Sequence, residues 1–192
     1  MTGQLPDLRT GRLLLRGLQP GDEAFLSMLD SDALVMKHIH TGPLKCSDAA
    51  TWASLQVESY SICWKQTGKW MAELRTTPTR IGWVEVAKLR LKERRCYSIG
   101  YEFAPAFWGC GYASEAVARV VDDLFERLDE YSAFAYVRPD NERSIRLLQR
   151  LGFRFTGWHF ADGGRHRCDV YRVSRQEWPG RAEVRPGSPV LI

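Results

Sequence analysis

Apolar residues along this chain recur with two different periods, and the change between them divides it. In the first half the apolar runs are short and bounded by turn residues. Arg12-Leu13-Leu14-Leu15-Arg16 reads as a strand that ends before Pro20-Gly21. Asp22 to Leu29 reads as a short helix with Asp22 and Glu23 near its positive end. Val35 to Leu44 has no clean period and reads as irregular. Ser47 can cap a helix running to about Lys65, with Trp52, Leu55 and Ser59/Ile62 on one face. Three strand-like runs follow: Lys69 to Leu74, then Ile81 to Leu89, then Cys96 to Phe103. The last stops at Pro105, which cannot donate to a ladder. Short connections between consecutive strands predict an antiparallel meander.

Beyond Phe103 the period lengthens. Ala113, Ala116, Val117, Val120, Leu124 and Leu128 recur at steps of three and four, which predicts an amphipathic helix. Tyr131 to Val137 is apolar on both faces and suits a central strand covered on both sides. Ser144 to Leu151 predicts a second helix, ended by Gly152. Phe153 to His159 and Arg167 to Ser174 read as strands flanking the hairpin signal Asp162-Gly163-Gly164. The order is strand, two helices, three-strand meander, helix, strand, helix, two strands. It predicts an α/β fold, a mixed sheet with helices on both faces, in one domain over residues 8–178. Residues 179–192, rich in proline and glycine, read as a C-terminal tail.

Composition narrows the function classes. A chain of 192 residues with 44% apolar content and seven tryptophans can bury one real core. No apolar run approaches the length of a membrane span, and Met1-Thr2-Gly3-Gln4-Leu5 does not open a secretory signal, so the cytoplasm is the expected location. The five cysteines, Cys46, Cys63, Cys96, Cys110 and Cys168, form no CxxC and are expected to be reduced and mostly buried. A net charge of +4 is too mild for a nucleic-acid interface. The basic run Lys88 to Arg95 reads as a solvated hairpin tip. His38, His40, His159 and His166 show no ligand spacing, so no metal is expected.

The most informative stretch is Phe107-Trp108-Gly109-Cys110-Gly111-Tyr112-Ala113-Ser114-Glu115-Ala116. Two glycines one residue apart lie between a strand-like run and a helix-like run. Such a turn points successive backbone N–H groups at one spot, where a helix N-terminus also concentrates positive charge. That is an anion cradle suited to a diphosphate, although the same glycines also suit a tight turn with no ligand. Further on, Asn141-Glu142-Arg143-Ser144 precedes a short helix-like run that ends in Leu151-Gly152-Phe153. Asn141 can cap that helix, and Ser144 can be an ordinary first-turn serine.

The two blocks together resemble the GCN5-related N-acetyltransferases, the GNAT superfamily, whose acyl-CoA loop reads Gln/Arg-x-x-Gly-x-Gly/Ala at a helix start. Gly111 and Ala113 match its last two defined positions, and Trp108 stands where Gln or Arg is usual. The Trp108-containing run, the block from Asn141 to Phe153 and the opening Thr10-x-Arg12-Leu13-x-Leu15-Arg16 are similar to the branch of RimJ/RimL type, the ribosomal-protein N-terminal acetyltransferases. The resemblance implies a mostly antiparallel mixed sheet of about seven strands, with the fourth and fifth parallel and splayed apart. It implies acetyl-CoA as co-substrate. The N–H groups of Gly109, Cys110, Gly111, Tyr112, Ala113 and Ser114 would hold its pyrophosphate. The pantetheine would lie between the strands ending at Phe103 and Val137, bonded by Asn141. The acetyl carbonyl would rest near the N–H of Phe103 or Ala104, an oxyanion donor, with Trp108 as a lid or packing residue. The resemblance also implies that the acetyl group passes directly to a primary amine, a protein N-terminus or a small molecule, with Cys110 a loop side chain and not a nucleophile. A homodimer is compatible with the aromatic content and the tail.

The amine must be uncharged to attack. A lysine amine at its reference pKa of ~10.4 is neutral about once in two thousand at pH 7, whereas an α-amine at ~7.7–8.0 is neutral about 10–17% of the time. An α-amine therefore needs only mild assistance. Where the family often has an acidic tyrosine this chain has Leu148, which leaves Ser144 as the nearest hydroxyl. For the base the pattern points to Glu102, with Glu85 second, and strand alternation alone does not say which face is wet. Leu148 also keeps open a second reading, a non-catalytic acyl-CoA-binding sensor or scaffold. A nucleotide-binding enzyme fits poorly, since neither a Gly-Lys-Ser/Thr nor a GxGxxG motif occurs. The acceptor wall is expected from Val35 to Lys65.

Overall fold

Runs of β-branched and aromatic residues become strands here, and the longer amphipathic periods become helices that cover them. The computed structural model describes residues 5–39, 42–62, 68–91, 94–127, 132–161 and 165–179. Its strands are β1 (Leu8–Arg9), β2 (Leu13–Gly17), β3 (Gly68–Leu74), β4 (Arg80–Leu91), β5 (Arg94–Phe103), β6 (Ser132–Val137), β7 (Arg154–Ala161) and β8 (His166–Ser174). Its helices are α1 (Glu23–Ser31), α2 (Cys46–Ile62), α3 (Tyr112–Arg127) and α4 (Glu142–Arg150). The strands form one sheet in the order β1-β2-β3-β4-β5-β6-β8-β7. Every pairing is antiparallel except β5 with β6. The two-residue β1 is too short to leave a periodic signal, and it raises the strand count to eight.

Helices α3 and α4 cover one face, where Val117, Val120, Leu124 and Leu148 pack against Trp70, Val84, Ile99 and Ala135. Helices α1 and α2 cover the other, where Leu26, Leu29, Ala53 and Val57 meet Met71, Trp83 and Ala104. Asp22, fully buried, ties α1 to the sheet: it accepts from Arg16 Nη1 and Nη2 at 2.8 Å each, from Arg80 Nε at 2.8 Å and from Gln19 N–H at 2.9 Å. These bonds hold its carboxyl below the usual range although burial alone would raise it. Helix α4 ends in paired bonds from Gly152 N–H to Gln149 O and from Phe153 N–H to Leu148 O, with Gly152 at φ +83 and both Leu148 and Phe153 buried.

Four expectations need correction. Helix α2 turns Ala49, Ala53, Gln56 and Val57 inward, and leaves Trp52 and Leu55 exposed at 52% and 48%. Alanines let it lie close to α1, where a tryptophan would hold it off. It begins at Cys46, with the Lys45 carbonyl accepting from Asp48 and Ala49, so Ser47 lies inside the first turn. In β6, Ala133, Ala135 and Val137 are buried and the alternate residues only half-buried, so its second face is partly covered. Finally, Cys46 and Cys110 are exposed and Cys96 and Cys168 half-buried, because they lie at a helix start, a loop and incompletely covered strands. Cys63, His40, Lys65, Leu128, Tyr131, the 162–164 turn and the tail beyond Pro179 lie outside the described residues, as do the side chains of 89–95. Before that point, Trp178 docks its indole N–H on Asp122 at 2.8 Å and its ring edge on Phe125 and Phe153.

The feature that positions everything else is the seam between β5 and β6. Among the described residues they pair at Tyr97↔Ala133 and Ser98↔Phe134. Beyond that β5 continues to Phe103 and β6 to Val137, each still paired on its outer side, β5 to β4 and β6 to β8. The two strands therefore part without fraying. At the end of β5 the contact with β4 is very close: a Cβ on Gly82 would lie 2.4 Å from the Glu102 carbonyl oxygen and 2.6 Å from the Phe103 ring. Gly82→Ala must push the end of β5 away from β4. A loss of about 1–3 kcal/mol is expected in urea unfolding, and unchanged stability would contradict the close approach.

Candidate active site

The loop after β5 is built by glycine. Gly109 and Gly111 both have φ +78, a left-handed conformation that costs other residues about 1–2 kcal/mol. Helix α3 starts directly after them. Glu115 N–H bonds the Gly111 carbonyl at 3.1 Å, while among the described residues the N–H groups from Gly109 to Ser114 make no hydrogen bond. A clamp from β2's entry holds the loop from the other side. The Glu115 carboxylate accepts from Thr10 Oγ1 at 2.5 Å, Arg12 N–H at 2.9 Å and Arg12 Nε at 2.6 Å. Arg12 Nη1 also donates to the Cys110 carbonyl at 3.0 Å, and its guanidinium lies 4.3 Å from the centre of the Tyr112 ring. Burial would raise the Glu115 carboxyl, but these donors hold it below its usual range. The result is a fixed loop with free amides at the positive end of a helix, chemistry that suits an anion.

The gap in the sheet opens beside this loop. Ala104 N–H donates to the Ile81 carbonyl at 2.9 Å. Since antiparallel pairs alternate between bonded and non-bonded, Gly82↔Phe103 and Val84↔Tyr101 are non-bonded pairs whose β5 main-chain groups face away from β4. The Phe103 carbonyl does face away: it accepts the Trp108 indole N–H at 2.6 Å. The main chain of Tyr101 and the N–H of Phe103 thus line the gap. This corrects the expectation for Ala104, whose N–H is spent on β4 and is not available as an oxyanion donor. Trp108 packs across the strand end, with the Arg143 guanidinium 4.6 Å from the centre of its ring. Asn141 caps α4, its Oδ1 accepting from Ser144 N–H at 3.2 Å.

Adjacent residues of β5 point to opposite faces, and this separates the two residues expected to be catalytic. Tyr101 points toward α4, where its hydroxyl lies 2.7 Å from Ser144 Oγ. Glu102 points toward α1 and α2, into a buried polar network that the sequence reading did not find. There Lys69 bonds Gln56 Oε1, lies 3.6 Å from Glu85 Oε2 and sits 3.6 Å from the centre of the Trp83 ring. Gln56 donates to Asp30 at 3.3 Å, and Tyr60 OH donates to Glu85 Oε1 at 2.5 Å. The Glu102 carboxyl is pushed up to about 7, chiefly by burial, with Asp30 and Glu85 adding to the rise and Lys69 opposing it. Among the described residues its Oε2 has no hydrogen-bond partner. Burial lowers the Lys69 ammonium's proton affinity against the pull of Glu85, Glu102 and Asp30, and raises Asp30. Glu85, the second candidate base, is engaged by Tyr60 and Lys69. One signal for the network was available: a lysine opening the apolar run Lys69-Trp70-Met71-Ala72. Nearby, His38 Nδ1 lies 3.5 Å from Asp140 Oδ2 and joins the short turn Met36–His38 to the loop before α4.

Comparison with known proteins agrees with this architecture. The acetyltransferase (GNAT) domain family matches residues 12–154. A Bacillus subtilis (strain 168) protein named "Uncharacterized N-acetyltransferase YoaA" is 32% identical over 177 residues, covering 88% of this chain and 96% of its own length. A crystal structure of a GNAT-family acetyltransferase from Bacillus anthracis superposes with a TM-score of 0.74 at 21% identity, covering 90% of this chain and 100% of that one. Mycobacterium smegmatis RimJ in complex with CoA-disulfide superposes with a TM-score of 0.72 at 20% identity, covering 95% of this chain and 92% of that one.

The environment of Glu102 makes a stability prediction independent of any reaction. Its folded pKa of about 7 lies above the ordinary 4.5, so the native state binds this proton more tightly than the unfolded chain. The contribution is fully present below about pH 4.5 and is lost as pH rises through about 7. Glu102→Gln should remove that loss, so the variant's melting temperature should gain on the wild type's across this window. Parallel pH–melting curves for the two proteins would contradict the burial of an ionisable Glu102.

Proposed function

The chain belongs to the GNAT acetyltransferase family and is an N-acetyltransferase, and from that premise we propose that it moves an acetyl group directly from acetyl-CoA to a primary amine. The single observation that carries this reading is the pairing of a free-amide loop at the start of α3 with a sheet gap lined by unpaired main chain. The first suits a diphosphate and the second suits the two amides of a pantetheine arm. In this reading the N–H groups of Gly109, Cys110, Gly111, Tyr112, Ala113 and Ser114 bind the pyrophosphate. Asn141 and the Tyr101 main chain bind the pantetheine, and Phe103 N–H binds the acetyl oxygen. Trp108 and Ala104 shape the end of β5.

The acceptor enters from the α1 and α2 side, where Glu102 lies. Its neutral nitrogen attacks the thioester carbon, the C–N bond forms and the C–S bond breaks. The proton lost by nitrogen goes to the Glu102 carboxylate, and the sulfur leaves as a thiolate that accepts a hydrogen bond from Ser144. With a reference thiol pKa of ~8.5, that thiolate needs stabilisation more than outright protonation. A base that titrates near neutrality is matched to this task, since it is ionised when needed yet holds the proton well. The acceptor is an α-amine of a protein N-terminus or a small-molecule amine. The RimJ/RimL-type motifs around Trp108 and Asn141 favour the former, and the shared fold of RimJ is consistent with that.

Two experiments test this reading. Acetyl-CoA at a hundred times its Kd should stabilise the protein by about 2.7 kcal/mol, or about 5–11 °C in melting temperature for a domain of this size. Gly111→Val, which strains the loop and sets a branched side chain among its amides, should abolish that shift, and a full shift in the variant would misplace the site. Separately, thiol release across a panel of peptides and small amines should reveal an acceptor. With it, kcat/KM should rise with pH through about 7, as Glu102 loses its proton. Glu102→Gln should lower the rate about 10²–10⁴-fold and remove that limb. Binding of acetyl-CoA with no turnover on any amine would favour a sensor or scaffold instead.

A further inference from the structure

We propose that Tyr101 is a positioning residue that turns the Ser144 hydroxyl hydrogen toward the departing sulfur of CoA. This rests on the reading of Ser144 as the donor to that sulfur. Ser144 lies in the first turn of α4, half-buried, just after the end of β6 at the rim of the gap. Its N–H is committed to Asn141 Oδ1, and among the described residues its hydroxyl has one partner, the Tyr101 hydroxyl at 2.7 Å. A hydroxyl has one hydrogen to give and two lone pairs that accept, so the bond has two possible directions. Acidity decides between them: a phenol, with a reference pKa of about 10, is the stronger donor and the weaker acceptor of the two hydroxyls. The Tyr101 phenol is pushed up to about 12 by burial, with Ser144 and Arg150 opposing, and so stays neutral in the working range. Among the described residues it has no other hydrogen-bond partner. If Ser144 donated, the phenol's own hydrogen would have no protein acceptor among the described residues, an arrangement that wastes the stronger donor. Tyr101 therefore donates and Ser144 Oγ accepts. The Ser144 hydrogen is then directed away from Tyr101.

The tether runs from the right strand. Tyr101 is the β5 residue whose main chain lines the gap, so its ring and its backbone register Ser144 against the same opening. Helix α4 supplies no phenol of its own, since Leu148, one turn beyond Ser144, is fully buried in the core. The phenol comes from the sheet instead, and acts through serine.

The test is a double-mutant cycle in steady state with acetyl-CoA and an acceptor found by the amine panel. Ser144→Ala should lower kcat about tenfold, the worth of one hydrogen bond made in the transition state. Tyr101→Phe, which keeps the ring, should lower kcat by a similar factor and change the KM for acetyl-CoA less than twofold. The double variant should be no slower than Ser144→Ala alone. Wild-type kcat in Tyr101→Phe beside an impaired Ser144→Ala would overturn the proposal and leave the Ser144 reading intact. Multiplicative losses in the double variant would also overturn it, because Tyr101 would then not act through Ser144. Wild-type kcat in Ser144→Ala would remove the reading on which it rests. Should Tyr101→Phe not fold, 3,5-difluorotyrosine at position 101, a more acidic phenol of similar size, must change kcat in wild type but not in Ser144→Ala. An unchanged kcat there overturns the proposal equally.

Discussion

Everything in this protein follows from a strand that is bonded fully on one edge and hardly at all on the other. Buried main-chain N–H and C=O groups must find partners, and leaving them unpaired is costly. Strand β5 meets that demand along β4 but, among the described residues, has two paired positions with β6. The main chain of Tyr101 and the N–H of Phe103 face an opening. A sheet that keeps such an opening while holding both flanking strands firmly is prepared for a guest with amides of its own. The connection that creates the opening also supplies the loop and the N-terminus of α3. A right-handed crossover between parallel strands sets that helix start at the C-terminal end of β5. Two recognition chemistries, hydrogen bonding along the gap and anion binding at its mouth, therefore arise from one topological choice.

The same strand sorts the side chains. Because successive residues point to opposite faces, Tyr101 and Glu102 serve different compartments. Tyr101 meets Ser144 among the α3 and α4 side chains. Glu102 meets a network in which three carboxylates, Asp30, Glu85 and Glu102, share the cation Lys69. Lys69 is held by Gln56 and stacked on Trp83, and its close carboxylate contact is with Glu85. Had Lys69 paired with Glu102, attraction would have offset burial and left an ordinary ionised carboxylate. Its placement two strands away, opposite Glu85, leaves Glu102 with a proton affinity near neutrality and an unsatisfied oxygen.

The parts of this arrangement legible in the sequence are those encoded locally. Gly109 and Gly111 declare themselves because positive φ selects glycine, and Gly152 because helix ends do the same. The alternation of the meander and the period of α3 are equally local. What was not legible depends on partners distant in the chain. That Ala104 N–H bonds Ile81 is a matter of register, which no residue near Ala104 reveals. That Trp52 and Leu55 face solvent follows from how closely the alanine face of α2 packs on α1. The Lys69 network joins α1, α2, β3, β4 and β5, and each member looks like a surface residue when met alone. Arg12 stood within a motif of the resemblance, but its role in clamping the loop through Glu115 emerged only from the fold.

That clamp answers why the loop's amides stay free. A turn with two glycines has every freedom to fold back and satisfy its own N–H groups, and most such turns do. Here the carbonyl of Cys110 is drawn toward Arg12, and the Arg12 guanidinium lies against Tyr112. Glu115, in the first turn of α3, fixes Arg12 in turn and takes the Thr10 hydroxyl as well. A carboxylate at this position favours the helix terminus yet competes with an incoming anion for the same positive charge. Pairing it with Arg12 neutralises that competition. The turn between β1 and β2 thus acts on the loop most of a domain later in sequence, and leaves the helix start electrostatically open to phosphate.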